Sequence, residues 1–271
     1  MTEKGPSFNS KILLFGEYSL IKGSMALSIP YDKLKGQLLF DLSAKNTRSS
    51  HYSVVYLIEY LDFLEKKKLN TIIDTESFRS DIENGLFFEC NIPISYGLGS
   101  SGAIVAAIYY SYSIKEIDNN LLELKSVFSN LESYYHGKSS GLDPLVSYLN
   151  KAVLIKEDGE LETVETPYTN QKNGTNIFLI DTKSVGETQP LVNWFLNEYE
   201  TTSYKNKIDN QLIPLNNSCI KHFLDGDFQQ VLKITKLISE FSLQNFKPMI
   251  PTSIRDIWAK GIETDRFYLK L

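Results

Sequence analysis

Between residues 92 and 103 the chain reads IPISYGLGSSGA, and no other stretch restricts its fold so closely. The apolar run at 86–92 reads as a strand that turns at Pro93. Residues 103–114, rich in Ala, Ile and Tyr, read as a largely buried helix. The segment between them carries Gly97, Gly99 and Gly102. Glycines let the backbone approach a ligand closely and turn several amides inward. The helix that follows offers free N–H groups and the positive end of its dipole. Ser100 and Ser101 add hydroxyls suited to a phosphate or a magnesium ion. The chemistry is that of a triphosphate cradle, and the plainer alternative is a serine-capped helix after a flexible turn. The segment is not a Walker A loop, because no Gly-Lys-Ser/Thr follows.

Two further stretches carry candidate chemistry. Residues 11–30 read KILLFGEYSLIKGSMALSIP: a buried strand at 11–15, a Gly-Glu turn, and a second strand at 26–29. Lys11 entering the strand and Glu17 on the turn are candidate site groups; the ordinary alternative is a snorkelling lysine and a solvated glutamate. Residues 121–135 form a helical pattern that carries Glu132, and HGKSSGLDP follows at 136–144 with Asp143 near its end. Magnesium bound to ATP needs hard oxygen ligands, for which one carboxylate and a serine hydroxyl serve. A second carboxylate near an acceptor hydroxyl can orient or deprotonate it. Asp143-Pro144 also fits a helix start, with Asp as N-cap and Pro at N1. His51 and His222 receive no role, and for His136, the histidine within the 136–144 motif, a loop residue without chemistry stands beside a catalytic reading.

Three stretches together resemble the GHMP kinases, and within them the mevalonate kinases most. Pro93 to Ser101 is similar to the family's PxxxGLGSS nucleotide motif. Residues 11–30 are similar to its first motif, in which a lysine, a Gly-Glu pair and a later glycine recur. His136 to Asp143 is similar to the run His-Gly-x-Pro-Ser-Gly-x-Asp, with Ser139 in place of proline. The resemblance implies that Gly97, Leu98, Gly99, Ser100, Ser101 and Gly102 wrap the ATP phosphates. It implies that Ser101 and Glu132 hold Mg2+, that Asp143 and Lys11 are catalytic, and that Glu17 and Tyr18 bind substrate. The implied reaction is transfer of the γ-phosphoryl of ATP to the primary hydroxyl of mevalonate. Tyr18 stands where mevalonate kinases often carry histidine, and Gly-Glu-Tyr also occurs in phosphomevalonate kinases, so a phosphomevalonate kinase or another GHMP kinase is the alternative acceptor reading. A non-catalytic, ligand-binding homologue is the alternative of a different class.

The expected fold class is α+β, since strands and helices mix without a regular β-α rhythm. The resemblance implies two domains: residues 1–170, like the second domain of ribosomal protein S5, and residues 171–271, ferredoxin-like. The second is expected to be truncated before the family's third glycine-rich motif. The polar stretch 168–175 is the expected linker, and 182–192 resembles a family loop near the active site. Further expectations are a strand at 36–42, helices at 54–65, 191–199 and 228–244, a hairpin at 152–166 turning on Asp158-Gly159, and strands at 176–181 and 267–271. A net charge of −5 offers no field for nucleic acid or an anionic membrane. Cys90 and Cys219 lie in no metal-binding pattern, and such sparse thiols fit a reducing compartment. With no apolar leader at the amino terminus, the reading is a cytoplasmic enzyme. The oligomeric state is left open, a homodimer included.

Overall fold

The computed structural model describes residues 2–41, 48–117, 120–167, 176–184 and 188–271. The chain forms two compact units. One holds Met1–Ile12 and Ile29–Lys151, the other Leu13–Ser28 and Ala152–Leu271. The expected linker at 168–175, with the boundary at 170, lies outside the described residues, as do 185–187 of the expected loop at 182–192.

In the first unit, β1 (Thr2–Glu3) and β4 (Leu86–Cys90) each pair antiparallel with the end of β3 (Ala26–Phe40). β2 (Phe8–Phe15) also pairs with β3. The strands expected at 26–29 and 36–42 are thus one continuous strand. Pro30 does not interrupt it, because the ring fixes a φ that extended backbone accepts. The ring of Phe88 lies over Gly36, where a Cβ would come within 2.2 Å of it.

Five helices complete the unit among its described residues: α1 (Arg48–Lys66), α2 (Thr75–Glu83), α3 (Ser100–Tyr112), α4 (Leu121–His136) and α5 (Leu142–Leu149). α3 is apolar nearly all round and packs against both α4 and α5, the signature of a central helix. Ala103, Val105, Ala106, Ala107 and Ile108 are fully buried. Tyr109 meets Phe128 of α4 and Tyr148 of α5 with ring centroids 5.0 and 5.3 Å apart.

In the second unit, Ala26–Ser28 of β3 pair with β5 (Ala152–Ile155), which pairs in turn with β6 (Leu161–Val164). The β5–β6 turn uses Gly159 at φ +84°, as Asp158-Gly159 implied. The later residues form α6 (Thr188–Tyr199), α7 (Thr202–Lys207), α8 (Ile213–Leu224), α9 (Phe228–Asn245) and α10 (Thr252–Thr264), with a π-helical stretch at Ile208–Leu212. α9 buries Phe228, Val231, Ile234, Ile238 and Phe241 along one stripe. Asn216 and Asn217 of α8 are buried and hold Met25: the Asn217 Oδ1 accepts its N–H at 2.9 Å, and the Asn216 Nδ2 donates to its carbonyl at 2.8 Å.

The strands expected at 176–181 and 267–271 are irregular. Phe178 is 79% exposed, and Ile177, Leu179 and Ile180 are exposed with it. An apolar run encodes an extended tendency, whereas a ladder also depends on a neighbouring strand in register. No helix among the described residues is long and apolar enough to cross a membrane.

Candidate active site

The glycine-serine segment turns into α3 through Gly99, the residue before the helix, at φ +76°. A Cβ at Gly99 would lie 3.0 Å from the Lys11 Cγ and 3.5 Å from the Asp143 Oδ2, so the loop backbone rests directly on those two side chains. The Lys11 N–H donates to the Leu98 carbonyl at 3.1 Å, tying the loop to β2. Gly97, at φ +70°, is exposed and faces open space. The first N–H groups of a helix have no acceptor within it, and in α3 those positions fall on Ser100, Ser101 and Gly102, the end of a helix that favours an anion.

Gly102 decides how α5 arrives. A Cβ there would lie 2.8 Å from the Asp143 carbonyl carbon and 2.8 Å from the Pro144 nitrogen, so only glycine lets the two helices approach this closely. Asp143 lies in the first turn of α5, and Gly141 precedes the helix. The expectation that Asp143 is the N-cap is therefore corrected. The serines upstream instead make local turns into the helix: the Ser139 Oγ accepts the Gly141 N–H at 3.0 Å, and the Ser140 Oγ accepts the Leu142 N–H at 3.2 Å. The freed Asp143 carboxylate meets the Lys11 Nζ at 3.0 Å. Lys11 is buried along its stem and Asp143 half-buried.

Beside this pair, Glu132 of α4 is 2% exposed. Its Oε1 accepts the Ser101 hydroxyl at 2.9 Å, and its Oε2 accepts the Ser139 hydroxyl. Burial pushes its carboxyl up to about 7 and the Asp143 charge adds to the rise, while the hydroxyls of Ser139 and Ser101 and the Lys11 charge oppose it. Sequence reasoning missed Ser139 as a site group. Its only signal was a hydroxyl residue standing in place of proline.

Lys11, Gly99, Ser101, Glu132 and Asp143 thus form one constellation within the first unit. Glu17 and Tyr18 belong to the second unit. Tyr18, at φ 58°, packs on Phe195 and Phe246, and burial raises its phenol well above the ordinary range. Glu17 lines a small cavity with Ser19, Asn216, Phe246 and Lys270. Burial lowers the Lys270 ammonium, and the Glu17 charge acts against that. The His136 side chain lies outside the described residues, and His222 faces Asp227 at 3.5 Å.

Among the described residues no three His, Cys, Asp or Glu side chains gather to hold a metal. Ser101 and Glu132 nonetheless place two hard oxygen donors 2.9 Å apart, which fits magnesium, an ion that keeps most of its shell for water and phosphate oxygens.

Residues 56–151 match the family model described as the GHMP kinases N terminal domain. Over that span the chain is similar to GHMP kinase N-terminal domains. The matched span includes Gly97–Gly102, Glu132 and Asp143, and Lys11 lies before it. Solved structures share the GHMP kinase fold. A mevalonate kinase structure aligns at TM-score 0.54 and 17% identity, covering 95% of this chain and 84% of that one. The Methanococcus jannaschii mevalonate kinase aligns at TM-score 0.53 and 16% identity, covering 95% and 83%. The L. major mevalonate kinase in complex with R-mevalonate aligns at TM-score 0.53 and 16% identity, covering 88% and 74%. No curated protein sequence matches the chain.

Proposed function

We propose that this chain is an ATP-dependent kinase that phosphorylates the primary hydroxyl of mevalonate. The observation that carries the reading is the Lys11–Asp143 ion pair, 3.0 Å long and set directly under the glycine of a phosphate-type loop. Magnesium-bound ATP would supply the phosphoryl group and neutralise its developing charge. The residues of the chain supply position and proton transfer. Gly97–Gly102 cradles the phosphates with backbone amides. Asp143 accepts the proton of the acceptor hydroxyl as its oxygen bonds to the γ-phosphorus and the bond to ADP breaks. Lys11 holds the Asp143 carboxylate in place and stabilises the emerging alkoxide charge. Ser101 and Glu132 provide the magnesium ligands, and Glu17 and Tyr18 are assigned to the acceptor.

Mevalonate is supported by the similarity of the HGKSSGLDP stretch and by structural neighbours that are mevalonate kinases. The Gly-Glu-Tyr sequence at 16–18 favours the second reading, phosphomevalonate. A coupled ADP-release assay with mevalonate, phosphomevalonate, homoserine and galactose decides. The expected result is turnover with mevalonate alone at micromolar to millimolar concentrations, the ordinary range for an enzyme and its substrate. Preference for phosphomevalonate would replace the acceptor, and no turnover with any of them would favour a binding protein without catalysis.

A further inference from the structure

Glu132 is held by two serines, and only one of them belongs to the phosphate loop. Ser101 takes Oε1, while Ser139 takes Oε2. Ser139 is itself fixed on several sides. Its Oγ accepts the Gly141 N–H at 3.0 Å, and its carbonyl accepts the Ser129 hydroxyl of α4 at 2.6 Å. Gly141 then presses the loop onto α4 so closely that a Cβ would lie 2.1 Å from the Lys125 carbonyl oxygen. Ser139 therefore cannot drift from Glu132 without the whole loop moving, and that loop ends in the α5 turn bearing Asp143.

We propose that Ser139 is a positioning residue for the Glu132 carboxylate, pinning Oε2 so that Oε1 is presented with the Ser101 hydroxyl to a divalent cation. The inference rests on the reading of Glu132 and Ser101 as magnesium ligands. It adds a residue that the similar family stretch does not supply, since the proline found there has no hydroxyl to donate. A buried carboxylate has two oxygens and free rotation about its last bond. A donor on one oxygen removes that freedom, and a ligand oriented in advance binds its metal more tightly. The same hydroxyl accepts from the Gly141 amide, so one side chain links Glu132 to the loop that leads into the Asp143 turn.

The test is calorimetric titration of the full chain with ADP, with and without magnesium, alongside S139A, S139T, S139C and E132Q. Loss of an outer partner of a metal ligand ordinarily costs about 10- to 100-fold in metal affinity. S139A is expected to weaken magnesium-dependent ADP affinity by about that factor, to leave magnesium-free affinity unchanged, and to melt as a folded protein. S139T, which keeps the hydroxyl, is expected to restore wild-type affinity. S139C keeps the volume with a weak donor and gives the same reading if S139A does not fold. Wild-type affinity in S139A or S139C with a weakened E132Q overturns the positioning role and leaves the Glu132 assignment standing. Wild-type behaviour in E132Q as well, or a wild-type chain whose ADP binding ignores magnesium, overturns both. Equal weakening of S139A with and without magnesium also overturns the positioning role, since it marks a general loop defect.

Discussion

Glu132 keeps its carboxyl where neither protonation state is favoured outright. Burial and the nearby Asp143 favour the acid; two hydroxyls and the Lys11 ammonium favour the anion, and the balance falls at about 7. In protein freed of divalent ions the sign of the pH dependence follows. The unfolded chain releases this proton near 4.5, whereas the folded chain keeps it to about 7, so the folded state binds more protons across that window. The contribution of Glu132 to stability is therefore full below 4.5 and is lost as pH rises to about 7, with a slope of up to about 1.4 kcal/mol per pH unit. Urea unfolding of wild type and Glu132→Gln in EDTA checks this: the stability difference between them should change with pH in that window and level off above it. Asp143 gives the second prediction at this scale. Asp143→Asn keeps the shape and removes the proton acceptor, so turnover should fall on the order of 10²–10⁴-fold while ADP affinity stays close to wild type. Near-normal turnover in a steady-state assay would remove Asp143 from the chemistry.

Helices α3 and α5 meet at a point where a single methyl group cannot be added. Real Cβ atoms do not sit 2.8 Å from backbone, so Gly102→Ala must push the first turn of α3 away from Asp143 and Pro144. A displacement near 1 Å at reacting groups costs about 100-fold in rate, while overpacking costs about 1–3 kcal/mol. Steady-state kinetics and urea melts of Gly102→Ala should therefore show a large loss of turnover in a protein that still folds. Elements of this kind were legible from the sequence because their residue types are distinctive: Gly97–Gly99 could hardly be regular structure, and the apolar stretch after 102 had to be buried, although α3 begins at Ser100, three residues before the apolar run suggested. What was not legible depended on neighbours. α2 went unread because TESFRSDIE is polar at most positions; the structure buries Thr75, Phe78 and Ile82 at helical spacing and caps the helix with the Asp74 carboxylate on the Ser77 N–H at 3.0 Å. The apolar residues at 176–181 suggested a strand, but sequence pattern does not say whether a ladder neighbour exists. Ser139 was seen only as a departure from proline, because its hydrogen bond to Glu132 exists only once α4 and the following loop have folded against each other.

At the level of the whole chain, the two compact units are not consecutive pieces of sequence. The second takes Leu13–Ser28 from the middle of what reads as one amino-terminal domain, and no composition shift marks that exchange. Those residues do structural work there. Ala26–Ser28 form the ladder with β5, and Met25 satisfies both buried asparagines of α8. A fragment of residues 152–271 would leave Asn216 and Asn217 buried without that partner, at about 1–3 kcal/mol for each lost contact, and would expose the edge of β5. It should show no cooperative thermal transition by circular dichroism, and adding a 1–151 fragment should restore one. A sharp transition in 152–271 alone would show that the borrowed segment is dispensable. The interlaced chain thus has a practical meaning for anyone cutting it: the halves made at residues 151 and 152 are suited to split-protein reassembly, in which function returns only when both are present, and not to study as separate domains.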